Sequence, residues 1–269
     1  MCDLCVINSV KSKMLSRRNF FKATAASAVA AGAVASAPAS LAAGHGGVVD
    51  LTHTLSAEFP TWGGDPGFAA EQMTQFETDG FNLLNLTISE HTGTHLDAPL
   101  HFSADGASVD EIPVDNLIAP LCVVDIAARA AEDADTQVTP DDLSAWISAN
   151  GDIPDNACVA MNSGWGGKTA TDEFRNFDGT AQHYPGFHPE ACQMLLETGA
   201  SSIAVDTLSL DHGMSQDFAS HYLWLPEGRF GIENIANLDQ LPASGATIFI
   251  GAPKHKGGTG GPARIIAIV

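Results

Sequence analysis

The chain has 269 residues, with 12 Lys and Arg against 32 Asp and Glu, a formal net charge of −20. That balance argues against nucleic-acid binding, because neutralising phosphates takes clustered Lys and Arg. Hydrophobic residues make up 45% of the chain, enough for one large core or two small ones. Past the N-terminal stretch no apolar run is long enough to span a bilayer.

The N-terminal stretch reads as a targeting segment. Ser16-Arg17-Arg18-Asn19-Phe20-Phe21-Lys22 matches the twin-arginine export motif, an Ala-rich stretch follows from Ala23 to Ala37, and small residues offer cleavage after Ala39 or Ala42. Residues 1–43 are expected to be a twin-arginine signal peptide and residues 44–269 the working domain. The protein is then exported, to the periplasm or beyond, with no stable membrane insertion after cleavage. Met14 offers an alternative start, which would leave Cys2 and Cys5 outside the protein. Loss of the leader leaves 7 basic against 31 acidic residues, a net −24. Three cysteines remain, Cys122, Cys158 and Cys192. An odd number at that spacing fits no disulfide framework, so buried free thiols are expected.

Val48 to Leu51 opens the domain as a strand. Phe59-Pro-Thr-Trp62-Gly-Gly-Asp65-Pro66 is a Gly/Pro loop carrying an aromatic side chain. Leu84, Leu86 and Ile88 alternate with Asn85, Thr87 and Ser89, a period of two that predicts a strand delivering His91 at its end. Leu121 to Ile126 and Ala157 to Met161 are buried-type strands. Between them Thr139 caps a helix with Pro140 at its first position, running to Asn150-Gly151. A helix over Pro189 to Thr198, closed by Gly199, precedes a strand over Ser202 to Asp206. Ala246 to Ile250 and Arg264 to Val269 are closing strands, joined by Lys254 to Gly261 as a flexible loop or turn. Strands outnumber helices and the middle alternates strand and helix. The expected fold is one α/β domain with mixed β-sheets and flanking helices.

The densest chemistry lies in His91-Thr-Gly-Thr-His95-Leu-Asp97-Ala-Pro-Leu-His101-Phe102. Three imidazoles and a carboxylate in eleven residues are ligand types for borderline divalent cations. Pro99 rules out one continuous helix, so the segment reads as a strand end followed by a liganding loop. His91, His95 and Asp97 could converge on one point, leaving room for a water. His101 could be a fourth ligand or a general acid/base. Asp206, Ser209, Asp211 and His212 follow a strand and could border a site or simply build a turn. Ser163 and Trp165, in a Gly-rich loop after a strand, are candidates for substrate contact. No Gly-x-Ser-x-Gly elbow for a nucleophilic serine occurs.

The pattern His-x-Gly-Thr-His-x-Asp-x-Pro-x-His-Phe resembles the signature of the cyclase family of metal-dependent hydrolases, which includes kynurenine formamidases (arylformamidases) and isatin hydrolases. The resemblance covers about Val48 to Val269 and implies a cyclase-like fold of the swivelling β/β/α type. It implies metal ligation by His91, His95 and Asp97, with His101 as the catalytic acid/base. It adds a later His and a Glu twelve residues on, which here are His221 and Glu233. Without it His221 reads as part of an aromatic cluster with Tyr222 and Trp224, and Glu233 as a helix-start carboxylate. It also places Trp62 against substrate, with Gly63 where formamidases often carry Pro. The implied activity is hydrolysis of a C–N amide bond, arylformamidase-like, with one or two Zn or Mn ions. The alternatives are ring opening of a cyclic amide or lactone, as in isatin hydrolases, and an exported metal-binding protein without turnover. The implied partner is a small aryl amide or lactam, and the implied assembly a homodimer or higher homo-oligomer.

Overall fold

Strand after strand in the middle of this chain is apolar on both faces, and the fold follows from covering both. The structure, a computed structural model, describes residues 47–269; the expected signal peptide, residues 1–43, lies outside them. In chain order its elements are β1 (Val48–Asp50), β2 (Phe68–Thr74), α1 (Phe76–Asp79), β3 (Leu83–Ile88), β4 (His95–Asp97), β5 (Ile118–Asp125), α2 (Ala127–Glu132), β6 (Gln137–Val138), α3 (Pro140–Asn150), β7 (Cys158–Asn162), β8 (Gly186–Phe187), α4 (Pro189–Leu196), β9 (Ser202–Val205), α5 (Ala219–Trp224), β10 (Phe230–Glu233), β11 (Ala246–Gly251), β12 (Gly260–Pro262) and β13 (Arg264–Ile268). Among the described residues no helix is long and apolar enough to cross a membrane.

Nine strands form one mixed sheet in the order β1-β13-β11-β5-β7-β9-β10-β4-β12. Its centre, β5-β7-β9-β10, is parallel, and the strands on either side are antiparallel. Parallel strands need cover on both faces. On one face Val159, Met161, Ile203 and Val205 pack under Leu143 and Trp146 of α3, Leu195 of α4 and Trp224 of α5. On the other, Cys158, Ala160 and Ala204 share a cluster with Leu96 of β4 and Ile265 and Ala267 of β13. Strands near opposite ends of the order meet in that cluster, so the sheet curls around it. A bridge between Thr52 and Ile235 links the two ends.

Local signals set the helices. The Thr139 hydroxyl accepts from the Asp142 backbone N–H, and the Asp142 carboxylate accepts from Thr139 N at 2.8 Å. This reciprocal cap, with Pro140 behind it, starts α3 where expected. The α4 helix also starts at Pro189 but ends at Leu196, two residues short of the expected Thr198. Cys122, Cys158 and Cys192 are buried and free, and burial pushes each thiol up to about 12.

Three expectations need correction. The His91–Phe102 segment is not a loop beyond a strand: His95–Asp97 is itself strand β4, and Pro99–Phe102 is a turn of 3-10 helix. The Lys254–Gly261 stretch is not only a turn, because its end becomes β12 and pairs with β4. The β3 alternation predicts one buried face, yet β3 pairs only with β2 in a separate two-stranded sheet. Leu84, Leu86 and Ile88 are 51%, 49% and 41% exposed.

Candidate metal centre

The sheet register assembles the cluster. In a strand, residues i and i+2 share a face, so His95 and Asp97 project together while Leu96 enters the core. Antiparallel pairing sets Glu233, the last residue of β10, opposite His95, and Gly231 opposite Asp97. Glu233 is therefore not a helix-start carboxylate; it ends a strand of the main sheet. His221 enters from α5, whose short apolar face also carries Trp224 into the core.

The distances are short. His95 Nε2 lies 3.3 Å from both Asp97 Oδ1 and Glu233 Oε2. His221 Nε2 is 3.1 Å from Glu233 Oε1 and 3.6 Å from Asp97 Oδ2. His91 Nδ1 is 2.7 Å from Asp97 Oδ1, and the His101 ring stacks on His91 with centroids 3.8 Å apart. Ligand-type atoms of His95, Asp97 and Glu233 all lie within 4.8 Å of one another, and so do those of His91, Asp97 and His101. All six polar residues expected at the site are thus together.

The surroundings fix which nitrogens face inward. His95 Nδ1 is 2.8 Å from the Gly93 carbonyl. A carbonyl only accepts, so Nδ1 carries a proton and Nε2 is the nitrogen left facing the carboxylates. Gly93 takes φ +63°, the left-handed region that a side chain disfavours, and its carbonyl also accepts from the Asn234 amide at 3.0 Å. Asp211 does the same for His221, with Oδ2 at 2.6 Å from Nδ1. The same carboxylate accepts from the backbone N–H groups of Ser220 and His221. Outside the cluster His91 Nε2 meets Thr259 Oγ1 at 2.9 Å, and that hydroxyl donates to Glu90 at 2.6 Å. Gly260 pairs opposite Asp97, and a Cβ there would lie 2.8 Å from His91 Cε1.

The charge balance of the cluster favours a cation. Asp97 and Glu233 are buried, and the only basic groups paired with them among the described residues are histidines. Burial alone would lower the His95 pKa, but Asp97 and then Glu233 outweigh it and raise it to about 10. His221 is likewise raised well above 6.5 by Asp211, Asp97 and Glu233 against burial. Asp97 stays well below the usual carboxylate range despite burial, held there by His95, His221 and His91. His95 Nε2 and Asp97 Oδ2 are buried without a hydrogen-bond partner. Uncompensated buried groups of this kind are costly. A divalent cation would satisfy both atoms and balance the carboxylates, so the residues fit a metal.

Above the cluster lies a cavity of about 250 Å³. Its polar floor is His91, His95, His101, His221 and Glu233; its walls are Pro60, Trp62, Phe102, Leu208 and Phe218. Trp62 and Phe218 lie with ring centroids 5.7 Å apart, and Phe102 packs 4.6 Å from His221. His221 does sit among aromatic rings, but these are Phe102 and Phe218 and not the Tyr222 and Trp224 expected from sequence. Burial pushes His101 down to about 4, outweighing the opposing pull of Asp97. Ser209 lines the cavity, and Asp211 acts through His221. Ser163 and Trp165 do not reach it: both bind Asp206, at 2.5 Å from Ser163 Oγ and 3.0 Å from Trp165 N. Thr259 and Gly260 were not identified from sequence, and Asp211 was expected only to border a site or build a turn, not to pair with His221. For Asp211 a signal existed, since a liganding histidine commonly gives its other N–H to a carboxylate.

A buried His and carboxylate cluster beneath an aromatic slot, on a curled α/β sheet, defines a metal-dependent hydrolase. The chain belongs to the Cyclase family: that family, described as "Putative cyclase", matches residues 49–212. The isatin hydrolase of Roseibium aggregatum is 35% identical over 252 residues, 86% of this chain and 95% of that protein. The solved isatin hydrolase A from Labrenzia aggregata, bound to benzyl benzoate, is 36% identical with a TM-score of 0.78, covering 83% of this chain and 93% of that one. An isatin hydrolase bound to the product analogue thioisatinate is 28% identical with a TM-score of 0.80, covering 95% of this chain and 99% of that one.

Proposed function

We propose that this protein opens the ring of a small, planar cyclic aryl amide of the isatin type by hydrolysing its C–N bond. The observation that carries this reading is the 35% identity to an isatin hydrolase across 86% of the chain. It favours ring opening over the arylformamidase activity expected first from the motif. The cavity agrees in character: about 250 Å³, walled by aromatic and aliphatic side chains over a polar floor, is the size and lining of a slot for a small flat molecule.

In this reading His91, His95, Asp97, His221 and Glu233 hold one or two Zn or Mn ions. Such an ion supplies Lewis acidity and makes water acidic enough to ionise near neutral pH. The protein does the rest. Gly93 and Asp211 keep protons on the outer nitrogens of His95 and His221, leaving Nε2 of each facing inward. Trp62 and Phe218 cover the planar face of the substrate and exclude water from it. His101 takes the proton of the attacking water at a ring nitrogen and returns it to the leaving amide nitrogen, a role worth on the order of 10²–10⁴ in rate. Residues 1–43 direct the folded protein through the twin-arginine pathway to the periplasm, which suits a centre that is filled before export.

The test is turnover by the purified protein, supplied with Mn or Zn, of isatin beside N-formylkynurenine and a simple lactone. Isatin is expected to give the highest kcat/KM. A higher value for N-formylkynurenine would restore the formamidase reading. Metal binding with no turnover of any of the three would favour a binding protein.

A further inference from the structure

Lys254-His-Lys-Gly-Gly-Thr-Gly-Gly261 reads in sequence as a flexible turn, yet the fold lays its end against the metal centre. Ala98 N donates to Thr259 O at 2.8 Å, and Gly260 pairs opposite Asp97. The loop is anchored just before this point as well. Val109 N donates to Gly258 O, and Asp110 Oδ1 accepts from Gly257 N, both at 2.9 Å. Thr259 is thereby held beside His91, with its hydroxyl oxygen 2.9 Å from Nε2. The glycines on either side make this approach possible. A Cβ on Gly258 would lie 2.7 Å from Glu90 Oε1, and one on Gly260 would lie 2.8 Å from His91 Cε1.

These hydrogen bonds have a direction. A hydroxyl has one proton to give, and an ionised carboxylate can only accept. Thr259 therefore gives its proton to Glu90 Oε2, at 2.6 Å. Glu90 is held in place to receive it by Thr259 N and by His255 Nε2. The Thr259 oxygen then faces His91 Nε2 as an acceptor, so a ring proton belongs on Nε2. Nδ1, 2.7 Å from Asp97 Oδ1, is the nitrogen left facing the cluster. His95 and His221 are set the opposite way, with Nε2 facing inward. We propose that Thr259, oriented by Glu90, is a positioning residue that fixes His91 as an Nδ1 ligand of the metal. The other tautomer would put a proton between His91 and Asp97, in the way of a shared cation. This role presupposes the metal centre described above but does not depend on which substrate the protein opens.

Two variants and one spectrum test this on the full chain. Thr259→Val keeps the shape and removes the acceptor, whereas Thr259→Ser keeps the hydroxyl. Zn affinity, by competition against a chelating dye, should fall about 10–100-fold in Thr259→Val and stay within about threefold of wild type in Thr259→Ser. Metal-free melting curves report the loop separately, because a purely structural role would lower stability without moving Zn affinity. In Zn-loaded wild type, long-range proton–nitrogen correlation spectra should show the His91 ring protonated at Nε2 and metal-bound at Nδ1. Zn affinity in Thr259→Val within about twofold of wild type, or His91 bound through Nε2, overturns the proposal. So does a loss in Thr259→Val that Thr259→Ser fails to restore. A wild type that binds no Zn overturns it together with the metal centre. Failure to open isatin, with the Zn results as expected, would sink only the substrate reading and uphold the role of Thr259.

Discussion

Asp211→Asn tests whether the cluster depends on a fixed histidine tautomer. Asp211 Oδ1 accepts from Ser220 N at 2.7 Å, while Oδ2 accepts from His221 N at 3.2 Å and from His221 Nδ1 at 2.6 Å. Asparagine keeps one acceptor oxygen. If it serves Ser220, the amide NH₂ faces two donors, and His221 relieves the conflict by moving its proton from Nδ1 to Nε2. Nε2 is the atom 3.1 Å from Glu233 and 3.6 Å from Asp97, so the proton would then occupy the direction of the metal. Loss of a carboxylate behind a liganding histidine typically costs 10–100-fold in metal affinity, about 1.4–2.8 kcal/mol. Competition against a chelating dye should show that loss, and kcat/KM should fall at least as far at limiting metal. Metal-free unfolding, measured alongside, isolates the separate cost to the start of α5, about 1.5–3 kcal/mol for charge-assisted hydrogen bonds. Affinity within twofold of wild type in Asp211→Asn would refute the reasoning and remove His221 from the ligand set.

His101→Ala should lower kcat by 10²–10⁴ while metal content by elemental analysis stays at the wild-type ratio; a loss of metal would make His101 a ligand. Chelation should lower the melting temperature, since metal at 100 times its Kd stabilises by about 2.7 kcal/mol; an unchanged melting curve would argue that the buried carboxylates need no cation. Gly260→Ala should cost about 1–3 kcal/mol, because its methyl would press on His91 Cε1 and the Leu96 carbonyl, and thermal denaturation showing no change would remove the argument for close approach. Burial raises Asp206 from 3.8 to about 6, so its contribution to stability is full below pH 3.8 and lost as pH rises through 6. Wild type should therefore lose about 3 kcal/mol relative to Asp206→Asn between about pH 4 and 6.5; parallel stability curves for the two proteins would contradict a raised Asp206.

The fold was legible wherever one physical signal dominated. Thr139 and Pro140 mark the start of α3 because a cap and a fixed φ act locally. The continuous apolar runs of β5, β7 and β9 read as strands because both faces are covered. The β3 alternation was read correctly as a strand, but the sequence does not say what covers an apolar face, and within the described chain nothing does. The strand character of His95–Asp97 and Gly260–Pro262 was missed for a related reason. Three-residue strands are too short to show a periodicity of their own, β12 is moreover Gly-Gly-Pro, and both exist because β4 lies between β10 and β12.

The site divides along the same line. Its first half lies within eleven residues, where the density of imidazole and carboxylate outweighs the ordinary surface reading of each. Its second half is a property of register. Glu233 meets His95 because β10 pairs antiparallel with β4 at that step, and a slip of one residue would turn Glu233 to the opposite face. His221 arrives from a separate helix whose start is tied to Asp211. No spacing rule predicts either, so without family resemblance they look like ordinary residues of an aromatic cluster and a helix start. Gly260 carries the argument furthest, since its contribution is the absence of a side chain opposite Asp97. A residue that matters for the space it leaves shows no chemical signature in sequence, and only the packing around His91 reveals that the position has no room for a methyl group.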